Sequence, residues 1–243
     1  MSWQSLQRKV ITSPSSQPIS GASTGVRWQV PSQSTQVMES GTGTPQGATG
    51  DTGATIFALA TAAGTVIPVR VISGSARNRR LVAPPGSATR PTPERVREAM
   101  FNALGSLGAV VEATVVDLFA GSGAMGIEAL SRGAARVTFV DHDRAAREAI
   151  ETNLAVTGLA DRAVVVASTV ERFLATTGVQ RWDVALVDPP YRFDGWPELL
   201  LDLPAHLAVL ESDQVVDPPF GWEVLRAKRY GSTHAVIAQR IVL

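Results

Sequence analysis

The 243-residue chain contains no cysteine. That absence excludes disulfides, thiolate metal sites and cysteine nucleophiles together, and it fits the reducing cytoplasm in which the protein is expected to work. Histidine is scarce too. His142, His206 and His234 are far apart, with neither HxxxH nor HExxH spacing, so no metal centre is expected. The chain also lacks a comfortable bilayer span. Its best apolar run, residues 54–69 (ATIFALATAAGTVIPV), is short, lies far from the N-terminus and has no basic stretch just before it, so neither a membrane anchor nor a signal peptide is expected. Net charge is absent as well: the formal value is zero, but its distribution is uneven. Residues 70–97 hold seven arginines (Arg70, Arg77, Arg79, Arg80, Arg90, Arg95, Arg97) against Glu94 alone, whereas residues 98–243 hold 12 basic and 19 acidic residues. Such a block is either a footprint for a polyanion or a solvated face, and charge alone does not decide between them.

What is present divides at about residue 66. Residues 1–65 are rich in Ser, Thr, Gly, Gln and Pro, carry five charged residues and keep no apolar periodicity. They cannot bury enough apolar surface to offset chain entropy, so a disordered extension is expected there. A translation start near Val66 or Val69, at a non-ATG codon, is the alternative account of that segment. Residues 66–243 are expected to form one domain, acting as a monomer. VRVISG and RRLVAP predict a short hairpin around Ala76–Asn78. Thr92 or Pro93 opens a helix to about Leu104, with Val96, Met100, Phe101 and Leu104 as its apolar stripe. The runs ATVVDLF, RVTFVD, RAVVVA, WDVALVD and HLAVLES then alternate with helical segments near 124–132, 143–156, 169–176 and 196–203. Apolar β-branched runs separated by helices predict a mostly parallel sheet covered on both faces. WEVLRAKRYG and HAVIAQR have no helix between them and read as an antiparallel pair closing the sheet. The expected class is α/β: a Rossmann-like, doubly wound sheet with a late hairpin.

The first strand of the alternation runs into Asp117-Leu-Phe-Ala-Gly121-Ser-Gly123-Ala-Met-Gly126 and then directly into a helix. Open α/β sheets bind ligands at the carboxyl ends of their strands, beside the switch point, where this turn would lie. Gly121 and Gly123 would let the backbone approach a ligand, and Gly126 would permit close helix–strand packing. Asp141 ends the next strand, where a carboxylate can accept both ribose hydroxyl hydrogens. The pattern fits a dinucleotide enzyme as well as an S-adenosylmethionine enzyme. Asp117 favours the second, since it would attract the ligand's ammonium and repel a pyrophosphate.

A second motif decides further. WDVALV is followed by Asp188-Pro189-Pro190-Tyr191. The exocyclic amine of a nucleobase is a poor nucleophile, because its lone pair is delocalised into the ring. Asp188 and the Pro189 carbonyl would accept hydrogen bonds from both amine hydrogens, on a backbone that two prolines preorganise. Tyr191 offers a ring for stacking on an extruded base. Asp217-Pro218-Pro219-Phe220 has the same look but falls between the last strands, away from the expected cleft, and is read as a loop.

These residues resemble the bacterial 16S ribosomal RNA guanine-N2 methyltransferases of the RsmD type. The likeness covers roughly residues 69–240 and rests on RVISGSARNRRLVAPPGSATRPTPERVREAMFNAL, VVDLFAGSGAMGIEALSRGAARVTFVD, DVALVDPPY and AKRYGSTHAVIAQR. The resemblance implies a class I methyltransferase fold, S-adenosyl-L-methionine as cofactor, and guanine N2 in small-subunit ribosomal RNA as target. Carried over by position, Gly121, Gly123 and Asp141 would hold the cofactor, and Asp188–Tyr191 the guanine. The arginine-rich hairpin (Arg77, Arg79, Arg80) and Arg90 would face the RNA backbone. Two departures are visible. The segment between Trp196 and His206 is short for a helix plus its loop, which leaves the register of the fifth strand open. The other concerns the cofactor's adenine. Where many relatives of this fold have an acid after the third strand to hold the cofactor's adenine, this chain has Ala167-Ser168-Thr169. Three alternatives stay open: an adenine-N6 methyltransferase using the same motif, a noncatalytic RNA-binding protein with the fold, and a nicotinamide-dependent oxidoreductase. The basic TRPTPERVRE block and the lack of a separate DNA-recognition domain count against the first, and the last would leave Asp188–Tyr191 without a role.

Overall fold

Two β-strands too short to bury a core of their own, β1 (Val69–Arg70) and β2 (Arg80–Leu81), pair antiparallel and enclose the turn expected around Ala76–Asn78. This hairpin is the first part of the computed structural model, which describes residues 69–85, 93–178 and 180–241. The expectations for residues 1–65, for Arg90 and for a helix opening at Thr92 lie outside the described residues.

Helix α1 (Glu94–Ser106) buries Val96, Met100, Phe101 and Leu104, the predicted stripe. It also buries Arg97, one of the seven arginines of the basic block. Arg97 is 1% exposed, and its Nη2 donates to the Arg70 carbonyl. Arg70 in turn pairs with Glu94 at 2.9 Å. Two of the seven block arginines are therefore engaged within the fold. The cationic face is smaller than composition implies.

Next come β3 (Thr114–Leu118), α2 (Ala124–Ser131), β4 (Arg136–Asp141), α3 (Arg144–Thr157), β5 (Ala163–Ala167), α4 (Val170–Thr176), β6 (Trp182–Val187), α5 (Trp196–Asp202) and β7 (Ala205–Ser212). Each element lies within two residues of its predicted limits. The sheet order is β5-β4-β3-β6-β7-β9-β8, parallel as far as β7, with β8 (Trp222–Tyr230) and β9 (Thr233–Arg240) antiparallel. The chain winds outward from β3 through β4 to β5, then returns to β6 on the other side of β3. That reversal makes the switch point at the carboxyl end of β3.

Continuous apolar strands suit this arrangement because both faces are covered. Val115, Val184, Leu186, Leu207 and Val209 pack in a core with the α1 side chains, while Val116, Leu118, Ala185, Val187 and Leu210 pack in a second core with Leu199 and Leu200 of α5. Helix ends follow local chemistry. Asp143 caps α3 by accepting from the Ala145 N–H at 2.9 Å, and Gly158 ends it in a left-handed conformation.

The hairpin is held to the sheet domain by a buried carboxylate. Glu128 of α2 is fully buried and accepts from the Ile72 N–H at 2.7 Å, the Ser73 N–H at 3.1 Å and Arg132 Nε at 2.6 Å. A second clasp is Asn153 of α3. It accepts from the Val82 N–H at 2.8 Å and donates to the carbonyls of Val82 and Ser122, each at 2.9 Å. Among the described residues, no helix is long and apolar enough to cross a membrane, and no cluster of His, Asp and Glu is arranged to hold a metal ion.

Candidate active site

The carboxyl ends of β3, β4, β6 and β7 surround a cleft of ≈ 320 Å³, lined by both predicted motifs. Asp117, Gly121 and Asp141 lie on one side, and Asp188, Pro189 and Tyr191 on the other. Two stretches 70 residues apart in sequence meet there because β3 and β6 are neighbours, with Leu118 opposite Val187.

The turn after β3 is built by carboxylates. Gly121 donates its N–H to Asp141 Oδ2 at 2.8 Å, and Asp143 donates to Asp141 Oδ1 at 2.9 Å. Each Asp141 oxygen thus has one bond to backbone and retains acceptor capacity for a ligand hydroxyl. Asp117 Oδ2 accepts from the Gly126 N–H at 2.8 Å. Burial pushes the Asp117 carboxyl well above the ordinary carboxylate range, and Asp188 and Asp141 push it the same way, while the Gly126 N–H opposes them.

The glycines of the motif divide the work. Gly123 adopts φ 74° as the N-cap of α2 and does not line the cleft. A Cβ there would meet Ile150, Phe139 and Ile127 at 3.1–3.5 Å, so core packing as well as the backbone angle calls for glycine. At Gly126 a Cβ would stand 2.3 Å from the Phe139 ring and 2.9 Å from Asp117 Oδ2. Helix α2 can lie this close to the sheet only without that carbon, as its predicted packing role requires.

Pro189 and Pro190 carry the chain from β6 to Tyr191, which lines the cleft and is 56% exposed. Arg192 then takes φ 64° and donates its N–H to Asp213 at 3.3 Å, tying this turn to the loop after β7. Across the cleft Phe119 has φ 59°, a left-handed conformation that is costly without glycine. Its ring packs edge-on against Phe193 at 5.5 Å, and Phe193 packs against Trp196 at 5.3 Å.

Ala167, Ser168 and Thr169 do not line the cleft. The Thr169 hydroxyl is taken up in capping α4, accepting from the Arg172 N–H at 3.3 Å. Asp217–Phe220 do not line the cleft, as expected. Trp222, two residues after Phe220, pairs with Arg240 at the amino-terminal side of the parallel strands, and Phe220 is 86% exposed. Arg77, Arg79 and Arg80 are exposed. Their turn is bound to Ser131 at the carboxyl end of α2 through the Ser75 and Ala76 N–H groups, whereas the cleft opens at that helix's amino end.

Sequence reasoning missed Glu211, Arg97 and the clasp at Asn153. Glu211 had a signal: like Asp141 and Asp188, it is a carboxylate closing a buried apolar strand. It is 7% exposed and lines the cleft with Arg97. Burial lowers the basicity of the Arg97 guanidinium, and the charges of Glu128, Glu94 and Glu211 oppose that effect. Its Nε–H is buried with no hydrogen-bond partner among the described residues.

Comparison with known proteins adds the following. The family model described as conserved hypothetical protein 95 matches residues 69–239. The ribosomal RNA small subunit methyltransferase D of Escherichia coli is 45% identical over 124 residues, covering 51% of this chain and 61% of that relative, so less than two thirds of its length is matched. The protein of the same name from Haemophilus influenzae is 32% identical over 174 residues, covering 67% of this chain and 89% of its own. The solved structure of Escherichia coli yhhF, described as a methyltransferase, is 39% identical with a TM-score of 0.63, over 71% of this chain and 98% of that one.

Proposed function

The chain belongs to the conserved hypothetical protein 95 family, of RsmD type and class I methyltransferase fold, and from that membership and the cleft we infer that it methylates the exocyclic N2 amine of a guanine in small-subunit ribosomal RNA. The observation that carries the reading is the meeting of Asp188–Tyr191 with the Gly121–Asp141 turn across one cleft. The residues of the turn fit S-adenosyl-L-methionine. Asp141 has acceptor capacity for ribose hydroxyls, and the buried Asp117 gains an opposite charge from a ligand ammonium.

Bound there, S-adenosyl-L-methionine supplies an electrophilic methyl group on a sulfonium. The protein's own part is to present the amine. Asp188 and the Pro189 carbonyl accept its two hydrogens, which draws the nitrogen lone pair out of conjugation and fixes its direction. Tyr191 stacks on the base and keeps it out of its helix. Methyl transfer to the amine would leave its nitrogen cationic, and Asp188 or water would take the released proton.

Tritiated methyl transfer to small ribosomal subunits lacking this modification, followed by nucleoside analysis, tests the whole reading. Label is expected in N2-methylguanosine. Label in N6-methyladenosine would keep the chemistry and change the target, and no label despite cofactor binding would overturn the catalytic reading.

A further inference from the structure

Val187 of β6 is in register with Leu210 of β7. One step beyond this last pair stand Asp188 and Glu211, on strands separated by roughly 4.8 Å. Alternation along both strands places them on the sheet face shared by Leu186, Val209 and α1. Both line the cleft. Arg97 of α1 lines it too, with a buried Nε–H lacking a hydrogen-bond partner among the described residues. A carboxylate and a guanidinium on the cleft wall, the first beside Asp188 on the neighbouring strand, have no part in holding the amine.

The Watson–Crick edge of guanine presents, in order, an acceptor (O6), a donor (N1–H) and the two donors of the N2 amine. Adenine presents a donor at N6 and an acceptor at N1. We propose that Glu211 and Arg97 read the base beside the methylated amine: Glu211 accepts from guanine N1–H and Arg97 donates to O6, while Asp188 and Pro189 hold N2. The proposal rests on the guanine-N2 reading above and supplies its selectivity. Adenine in the same pose sets its N1 lone pair against the Glu211 carboxylate and its N6 hydrogens against the Arg97 donor, so it fails at two positions.

The test uses 2,6-diaminopurine, which keeps the 2-amine but presents the edge of adenine at positions 1 and 6. The target guanosine, located by nuclease mapping of the labelled RNA, is replaced with it, in the RNA or reconstituted particle that accepts label. The parent enzyme is expected to prefer guanine by roughly tenfold or more in kcat/KM. Glu211→Gln, whose amide can donate to N1 of the analogue, is expected to shrink that ratio by roughly tenfold while S-adenosyl-L-methionine still binds. A purely structural role for Glu211 would lower both substrates together and leave the ratio unchanged, which overturns the proposal. Equal kcat/KM for the two bases in the parent overturns it without any variant. A parent that methylates no guanine at all would instead remove the guanine-N2 reading, and this proposal with it.

Discussion

Asp117 is a carboxyl group that the fold keeps from ionising easily. Because its pKa is raised in the folded protein, its proton binding stabilises the fold below the ordinary carboxylate range, and that contribution is lost as pH rises through the folded-state value. Asp117→Asn keeps an oxygen for the Gly126 N–H and removes the buried charge, so the variant's Tm is expected to exceed the parent's by a margin that widens with pH. Thermal melts across pH measure this directly, and a constant difference would refute it. The same variant should bind S-adenosyl-L-methionine more weakly. In the parent, affinity should increase with pH, since a cationic ligand displaces the Asp117 proton; calorimetry in buffers of different ionisation enthalpy counts that proton. At Asp188 the expectation is separable: Asp188→Ala abolishes methyl transfer while cofactor binding persists, and comparable turnover would remove Asp188 from the chemistry.

At the level of elements, helix position depends on what is missing from a side chain. Gly126→Ala drives a methyl group into Phe139 and beside Asp117. The expected loss is about 1–3 kcal/mol in denaturant unfolding, with weakened cofactor binding because the turn shifts with its helix. Glu128→Ala strips three donors of their acceptor and should cost about 3–5 kcal/mol, with hydrogen exchange rising first in residues 69–85. The strands and helices were readable from sequence because their periodicity is local. So were Asp141 and Asp188, since a carboxylate that ends an apolar strand of an open α/β sheet points to the ligand edge. Gly123 was legible as a turn residue, whereas the packing of Ile150 and Phe139 where its Cβ would stand was not, because only the helix position sets it. Arg97 was misplaced for a related reason. An arginine on an amphipathic helix counts as solvent-facing until a buried carboxylate such as Glu128 and a nearby carbonyl give it somewhere to go.

At the scale of the whole molecule, the exposed arginine turn and the cleft stand apart among the described residues. The turn bearing Arg77 and Arg79 sits at the carboxyl end of α2 and the cleft at its amino end, roughly 12 Å apart along eight residues. A structured RNA is far larger than that distance, so its backbone can reach the arginines while one nucleotide enters the cleft. If it does, replacing Arg77, Arg79 and Arg80 together with alanine should reduce the salt slope of RNA binding by about 2–3, at roughly 0.7–0.9 per lost phosphate contact, and leave methyl transfer from saturated complexes unchanged. An unaltered slope would make the turn a solvated face. The sheet itself sets a condition on how the molecule is made. β8 is synthesised before β9, yet its ladder partner is β9, which also covers the side of β7. A nascent chain halted after Tyr230 therefore leaves unpaired the two strand edges that β9 would cover, and a premature stop in that interval yields a template for aggregation rather than a slightly shortened protein.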